Sequence, residues 1–216
     1  MSVSLSNGSI VSIAASYSTS LSVTGITNAN PAVGTTASAH SYSVGDFVEV
    51  TSGWSRVNGR IFRLSAATGS SFTLEGLDTT DTSQYPVGGG IGSIRKVATW
   101  TQITQMLDLT TSGGDQQFAT YSFLEQDFES QIPTVKSAAG MTLSIGDDST
   151  LPHYTILSAA NDDRIPRAIR LKLPSGALIL YNGYVTLNKT PSLTKNQIMA
   201  ITSTVSLVGQ PVRYAS

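Results

Sequence analysis

Apolar and polar residues alternate in short runs along most of this chain, and clusters of Gly, Asn, Asp and Pro separate the runs. A period of two bounded by turn residues predicts β-strands, because successive side chains of an extended backbone face opposite sides. The predicted strands cover residues 9–14, 21–26, 47–51, 60–64, 71–74, 93–99, 118–124, 141–145, 168–173, 177–181, 183–187 and 197–208. The clearest hairpin joins 169–173 to 177–181 through Pro174-Ser175-Gly176. Pro174 sits where no amide hydrogen is needed, and Gly176 supplies a positive φ.

One segment departs from this period. Asp147 to Thr150 offer N-cap oxygens, Pro152 fits a first helical turn, and Leu151, Tyr154, Ile156 and Leu157 form a partial apolar stripe that Asn161-Asp162-Asp163 ends. A helix is predicted over 151–160, with a shorter helical stretch at 101–107. The texture of the chain changes near Pro86. Short strands precede it, Tyr85-Pro86-Val87-Gly88-Gly89-Gly90-Ile91-Gly92 reads as a flexible connection, and longer strands follow.

At 216 residues the chain can bury a substantial core, and 40% of it is apolar. Charged residues make up only 12%, about half the usual share, while Ser and Thr supply roughly a quarter of the chain. A net charge of −1 favours association between copies and provides no basic excess to clamp a phosphate backbone. The absence of cysteine removes disulfides, thiolate metal sites and Cys nucleophiles. No positive region precedes an apolar stretch near Met1, so no secretory leader is expected, and no apolar run is long enough for a membrane helix.

The chemistry-bearing residues are sparse. His40 and His153 are isolated, and no Gly-x-Ser-x-Gly or His-Glu-x-x-His pattern occurs. Gly88 to Gly92 precede a strand rather than a helix N-terminus, so they read as a linker and not a phosphate cradle. Asp147 and Asp148 read as helix caps rather than calcium ligands. Glu125, Asp127 and Glu129 form the densest acidic stretch. A carboxylate pair for glycoside hydrolysis would need a sugar-stacking cleft, for which only Trp54 and Trp100 are available, so the stretch reads as solvated. Neither catalysis nor a metal or other cofactor is expected.

Two stretches resemble known families. Val23-Thr24-Gly25-Ile26-Thr27-Asn28-Ala29-Asn30-Pro31, Gly45-Asp46-Phe47-Val48-Glu49-Val50 and Asn58-Gly59-Arg60-Ile61-Phe62 resemble a small β-barrel module of phage tail and virion proteins, similar to a domain named after ubiquitin-activating enzymes. The closing order Leu173-Pro174-Ser175-Gly176, Tyr181-Asn182-Gly183-Tyr184-Val185, Pro191-Ser192-Leu193-Thr194-Lys195-Asn196 and Gly209-Gln210-Pro211 resembles the major tail tube protein of long-tailed, lambda-like phages. The resemblance implies an all-β fold with one flanking helix: a two-sheet tail-tube sandwich that forms a β-barrel between subunits, plus a small inserted β-barrel. It divides the chain into an N-terminal arm and first strand (1–20), the small barrel with its linker (21–86) and the tube domain (87–216). It further implies stacked rings, usually of six copies, without a contractile sheath. These would sit in the virion tail, be assembled in the bacterial cytoplasm, and conduct DNA without gripping it. The implied partners are the chain itself, tape measure protein, and tail terminator and tip proteins, with no membrane. Glu125, Asp127 and Glu129 are the candidates for lumen or ring-to-ring contacts. The segment 129–140, with Pro133 and Lys136, is the candidate loop reaching a neighbouring subunit. The terminal stretches 1–7 and 211–216 are expected to order on assembly. A competing expectation is a host-glycan binder using Tyr42, Trp54, Phe62 and Phe72 of the small barrel as an aromatic platform.

Overall fold

The structure is a computed structural model describing residues 7–215; the stretch 1–6 and Ser216, on which part of the expectation about the termini falls, lie outside the described residues. The chain runs β1 (Ile10–Tyr17), β2 (Leu21–Ile26), β3 (Val33–Thr36), β4 (Phe47–Ser52), β5 (Arg60–Thr68), β6 (Ser71–Leu74) and β7 (Gly92–Gln102). It continues through β8 (Met106–Ser112), β9 (Gln116–Tyr121), β10 (Ser130–Lys136), β11 (Gly140–Gly146), the single helix α1 (Pro152–Asp163), β12 (Arg167–Lys172), β13 (Leu178–Ser192), β14 (Ala200–Leu207) and β15 (Val212–Tyr214). The expected all-β class with one helix is what the chain adopts.

Six strands close a barrel in the order β2-β3-β6-β5-β4-β7, with β7 returning to β2. Alternation explains what each strand buries. Val48 and Val50 of β4 and Phe62 and Leu64 of β5 point into the barrel with Trp54, Phe72 and Ile94. The intervening residues Phe47, Glu49 and Ile61 face the rest of the molecule. Two glycines are required by close approach: a Cβ at Gly34 would lie 2.1 Å from Cζ of Phe72, and one at Gly90 would lie 2.9 Å from Cβ of Ile26.

The barrel is joined to the second unit by a shared strand. The first part of β7, from Gly92 to Lys96, pairs with β2 and β4, and its last part pairs with β1 through Val97↔Tyr17 and Thr101↔Ile13. From β1 the sheet continues through β12, β13, β14 and β11 to β8. Val11, Ile13 and Ile169 of β1 and β12 share one core with Met141, Leu143, Ile145, Ile201 and Val205 of β11 and β14, strands they do not pair with. The sheet therefore folds over on itself along the 15-residue β13, which pairs with β12 through its first half and β14 through its second. Two packed layers result, and α1 contributes Leu157 and Ala160 to the core between them.

The barrel sits on the outer face of the β1–β12–β13 layer. Ile61, Val97, Ala168, Leu180 and Tyr214 form an apolar junction there. Beside it, Glu49 is 8% exposed and is neutralised by Arg95 at 2.6 Å; Asn182 donates to Glu49 Oε1 at 3.2 Å and to the Gly59 carbonyl at 2.9 Å. Tyr214 Oη accepts the Arg63 amide at 2.9 Å, and burial pushes this phenol up to about 12.

Four local expectations are corrected. The C-terminal stretch expected to order on assembly is already docked in the single chain, since Val212–Tyr214 form β15 against β13 and Tyr214 is buried. The stretch expected to be helical at 101–107 is the end of β7 and the start of β8, because Gln105 adopts a left-handed φ of 57° and turns the chain between two strands. The expected flexible connection at 85–92 is packed. Tyr85 stands edge-on to Trp54 at 5.3 Å, Trp54 Nε1 donates to the Pro86 carbonyl at 2.8 Å, and Gly92 already belongs to β7. Asp148 does not cap α1. Its Oδ1 accepts from the Thr150 amide and hydroxyl in a turn ahead of the helix, whose N-cap residue is Leu151.

His153 occupies the buried face of α1 at 1% exposure, with Thr104 Oγ1 3.4 Å from Nδ1 and no partner for Nε2. Burial lowers its pKa, against a smaller opposing pull from Asp148. The folded protein thus resists a proton that the unfolded chain accepts near pH 6.5, and stability falls as pH drops through that range. Replacing His153 with Gln is expected to flatten the stability profile between pH 7 and 5.5, by at most about 1.4 kcal/mol per pH unit. Urea unfolding at both pH values measures this; an unchanged slope would refute it.

Candidate functional site

Among the described residues no group of three or more His, Asp and Glu side chains comes together to hold a metal ion, and His40 belongs to the barrel region while His153 lies on α1. The features left for function are surfaces. The first is the outer face of the layer formed by β8, β11, β14 and β13. Their registers align Thr110, Thr142, Thr204 and Thr186 in one row across four strands. The neighbouring rows read Ser112, Gly140, Ser206, Tyr184 and Asp108, Ser144, Thr202, Asn188. The opposite face carries Leu109, Leu143, Ser203 and Leu187 at the intervening register and closes the core. Alternation has sorted apolar side chains inward and hydroxyls outward, buried Ser203 excepted, and Asp108 is the only charge in the three hydroxyl-side rows. The sheet ends at β8, which has β11 as its one neighbour among the described strands and so presents an open row of backbone donors and acceptors.

The second surface is an arm. Among the described strands β9 and β10 pair only with each other, prolonging β8 and β11 beyond a bend. Gly113 and Gly114 take positive φ at the bend, and a Cβ on Gly113 would strike the Ala138 carbonyl at 1.9 Å, so only glycine fits there. The arm carries Phe118, Phe123, Leu124, Phe128, Ile132 and Val135 in the open; Leu124 is 107% exposed. Such a concentration of exposed apolar side chains marks an interaction site. A cleft of about 630 Å³ lies at the bend, between Lys136, Met141, Tyr181, Leu207 and Pro211.

All the candidate contact residues of the sequence reading lie on this arm. Glu125, Asp127 and Glu129 are exposed in its tip, while Pro133 and Lys136 are exposed on β10. The segment expected to be a loop at 129–140 is thus largely strand; Pro133 is tolerated because β10 is an edge strand of a two-stranded ribbon. The aromatic platform expected on the small barrel does not form. Tyr42, Trp54, Phe62 and Phe72 are all 8% exposed or less and fill the barrel core.

A third surface was not anticipated from sequence. Arg170 lies over the rings of Trp100 at 4.7 Å and Phe47 at 5.5 Å, on the layer that carries the barrel. Burial against these rings lowers its pKa. Lys172 stands two residues further along the same face, beside Ile10 and Leu178 in the ladder. Neither cation belongs to any ion pair among the described residues.

Comparison with known proteins yields one extended match: a family model described as phage tail tube protein covers residues 52–216. No curated protein matches the chain. Among solved structures, the chain is similar to one in the cryo-EM structure of the anti-feeding prophage cap, a tube terminating cap. That match has 17% identity over 50% of this chain and 79% of the other, with a TM-score of 0.34.

Proposed function

From the premise that this chain belongs to the phage tail tube protein family, a family of structural rather than enzymatic tail components, we propose that its copies close into rings, six to a ring, that stack into a conduit for DNA. The observation that carries this reading is the four-stranded layer with an open edge at β8, an apolar inner face and a hydroxyl outer face. Edge-to-edge joining of such layers satisfies the β8 backbone and removes an aggregation hazard. Four strands from each of six copies, at about 4.8 Å spacing, give a barrel about 37 Å across before strand tilt widens it.

In that barrel the hydroxyl rows line the bore. Affinity for a phosphate backbone grows with each cationic contact, and these rows supply none, so a duplex can slide. The small barrel, on the opposite side of the subunit, projects outward. Tape measure, terminator and tip proteins are the further partners, and the virion tail is the location, after assembly in the host cytoplasm.

Negative-stain microscopy of concentrated protein tests the assembly; rings or tubes roughly ten nanometres across are expected. A species that stays monomeric at every concentration counts against it. The bore is tested by Thr142→Arg with Thr204→Arg. Tubes of the double variant are expected to retain duplex DNA in co-sedimentation at low salt and release it as salt rises, whereas unmodified tubes retain none. Equal behaviour of the two would remove the hydroxyl face from the lumen.

A further inference from the structure

We propose that the acidic, aromatic tip of the arm docks on the Arg170–Lys172 ledge of a second copy, joining subunits head to tail. The inference rests on the assembly reading above and specifies its contact.

The two surfaces are complementary in chemistry. The tip presents Glu125, Asp127 and Glu129 among Phe123, Leu124 and Phe128, all exposed. The ledge presents two cations outside any ion pair among the described residues: Arg170, set on the half-buried rings of Trp100 and Phe47, and Lys172, flanked by Ile10 and Leu178. A guanidinium stacked on aromatic faces keeps its in-plane N–H donors free for a carboxylate. Each surface supplies what the other lacks, and neither meets an opposite charge among the described residues of its own chain.

They also sit at opposite ends of one ladder. The pairing of β12 with β13 runs from Lys172↔Leu178 at the ledge to Arg167↔Gly183. Gly183 pairs with Leu207, which lines the cleft at the root of the arm, and Ser206 and Ser112 flank Gly140 there. At about 3.3 Å per residue, the paired ribbon from Gln116 to Tyr121 carries the tip roughly 17 Å beyond the bend at that end. A subunit with a projecting tip at one end and its complement at the other makes heterologous contacts, which stack rather than pair off.

The chain has no cysteine, so introduced thiols report cleanly. Under a mild added oxidant such as oxidised glutathione, Asp127→Cys protein mixed with Lys172→Cys protein is expected to form a disulfide dimer on assembly, and Asp127→Cys mixed with Arg56→Cys, an exposed barrel position, is expected not to. In parallel, Glu125→Lys with Asp127→Lys, or Lys172→Glu, is expected to raise the concentration needed for assembly at least about tenfold, and combining the reversals to restore most of it. Thermal melting of each monomer checks that folding is intact. Tubes that form without the Asp127–Lys172 link, or a tip thiol that instead captures Gln210→Cys at the bend cleft, would overturn the docking while leaving the tube reading standing. Failure of the unmodified protein to assemble would overturn both.

Discussion

Excising residues 116–136 and joining Asp115 to Ser137 through an Asn-Gly turn is expected to abolish tube formation and leave a folded monomer. The arm contributes no residue to the three apolar cores. At its root, the Asp115 amide donates to Ser137 Oγ at 3.0 Å and the Ser137 amide to the Asp115 carbonyl at 2.9 Å, so the cut leaves a paired strand end ready for a two-residue turn. Melting should move by no more than about 2 °C, since surface changes away from packed features seldom exceed about 0.5 kcal/mol. Assembly loses the exposed Phe, Leu, Ile and Val side chains of the arm together, and hot-spot contacts of that kind dominate interface energies. Sedimentation velocity with electron microscopy decides the matter: rings appearing at the concentration the full chain requires would show the arm to be dispensable.

The largest stability effect is expected inside the small barrel. Phe72 is fully buried and lies directly across from Gly34 in the β3–β6 ladder, with its ring occupying the space a Gly34 side chain would fill. Phe72→Ala opens a cavity that the surrounding strands cannot collapse into, because the barrel is closed; about 3–5 kcal/mol, or roughly 10 °C in melting temperature, should be lost. Gly34→Ala should destabilise by overpacking, by about 1–3 kcal/mol. Its backbone φ is not positive, so the penalty comes from the ring and not from strain. The double change Gly34→Ala with Phe72→Leu should therefore cost less than the sum of the single changes, as residues in direct contact couple. Additive losses in calorimetry would show that the two positions do not compete for space.

Sequence patterning reveals elements where alternation and turn chemistry agree. The 169–181 hairpin is found with Lys172 opposite Leu178 around Pro174-Ser175-Gly176, and α1 is found close to its predicted place, though it runs on through Asn161-Asp162-Asp163 to a left-handed C-cap at Arg164. Elements defined by partners are harder to find. β3 holds only Val33 to Thr36, too short to show an alternation of its own; it is a strand because β2 and β6 flank it. β10 contains Pro133 and polar residues, and only its pairing with β9 gives it strand form. The packing of Tyr85 and Gly90 against Trp54 and Ile26 has no local signature either, since a Gly-rich run reads alike whether it lines a core or swings free.

The candidate site was partly legible for the same reason. The acidic tip stands out as a run of charge in a chain with little of it. The hydroxyl face is written into Thr202-Ser203-Thr204-Val205-Ser206 and Met141-Thr142-Leu143-Ser144-Ile145, but no single strand says that its threonines line up with those of three others. The ledge is assembled from Phe47 of β4, Trp100 of β7 and Arg170 of β12, each more than fifty positions from the next, and Arg170 looks ordinary until the rings beneath it are known.

β7 runs without a break from the barrel wall into the sandwich, and Tyr214, Asn182 and Glu49 clamp the seam beside it. The barrel therefore has no hinge about which to nod. Hydrodynamic drag on such a projection passes as tension along one strand directly into the cylinder, so each barrel behaves as a fixed stud on the shaft rather than a tethered bead.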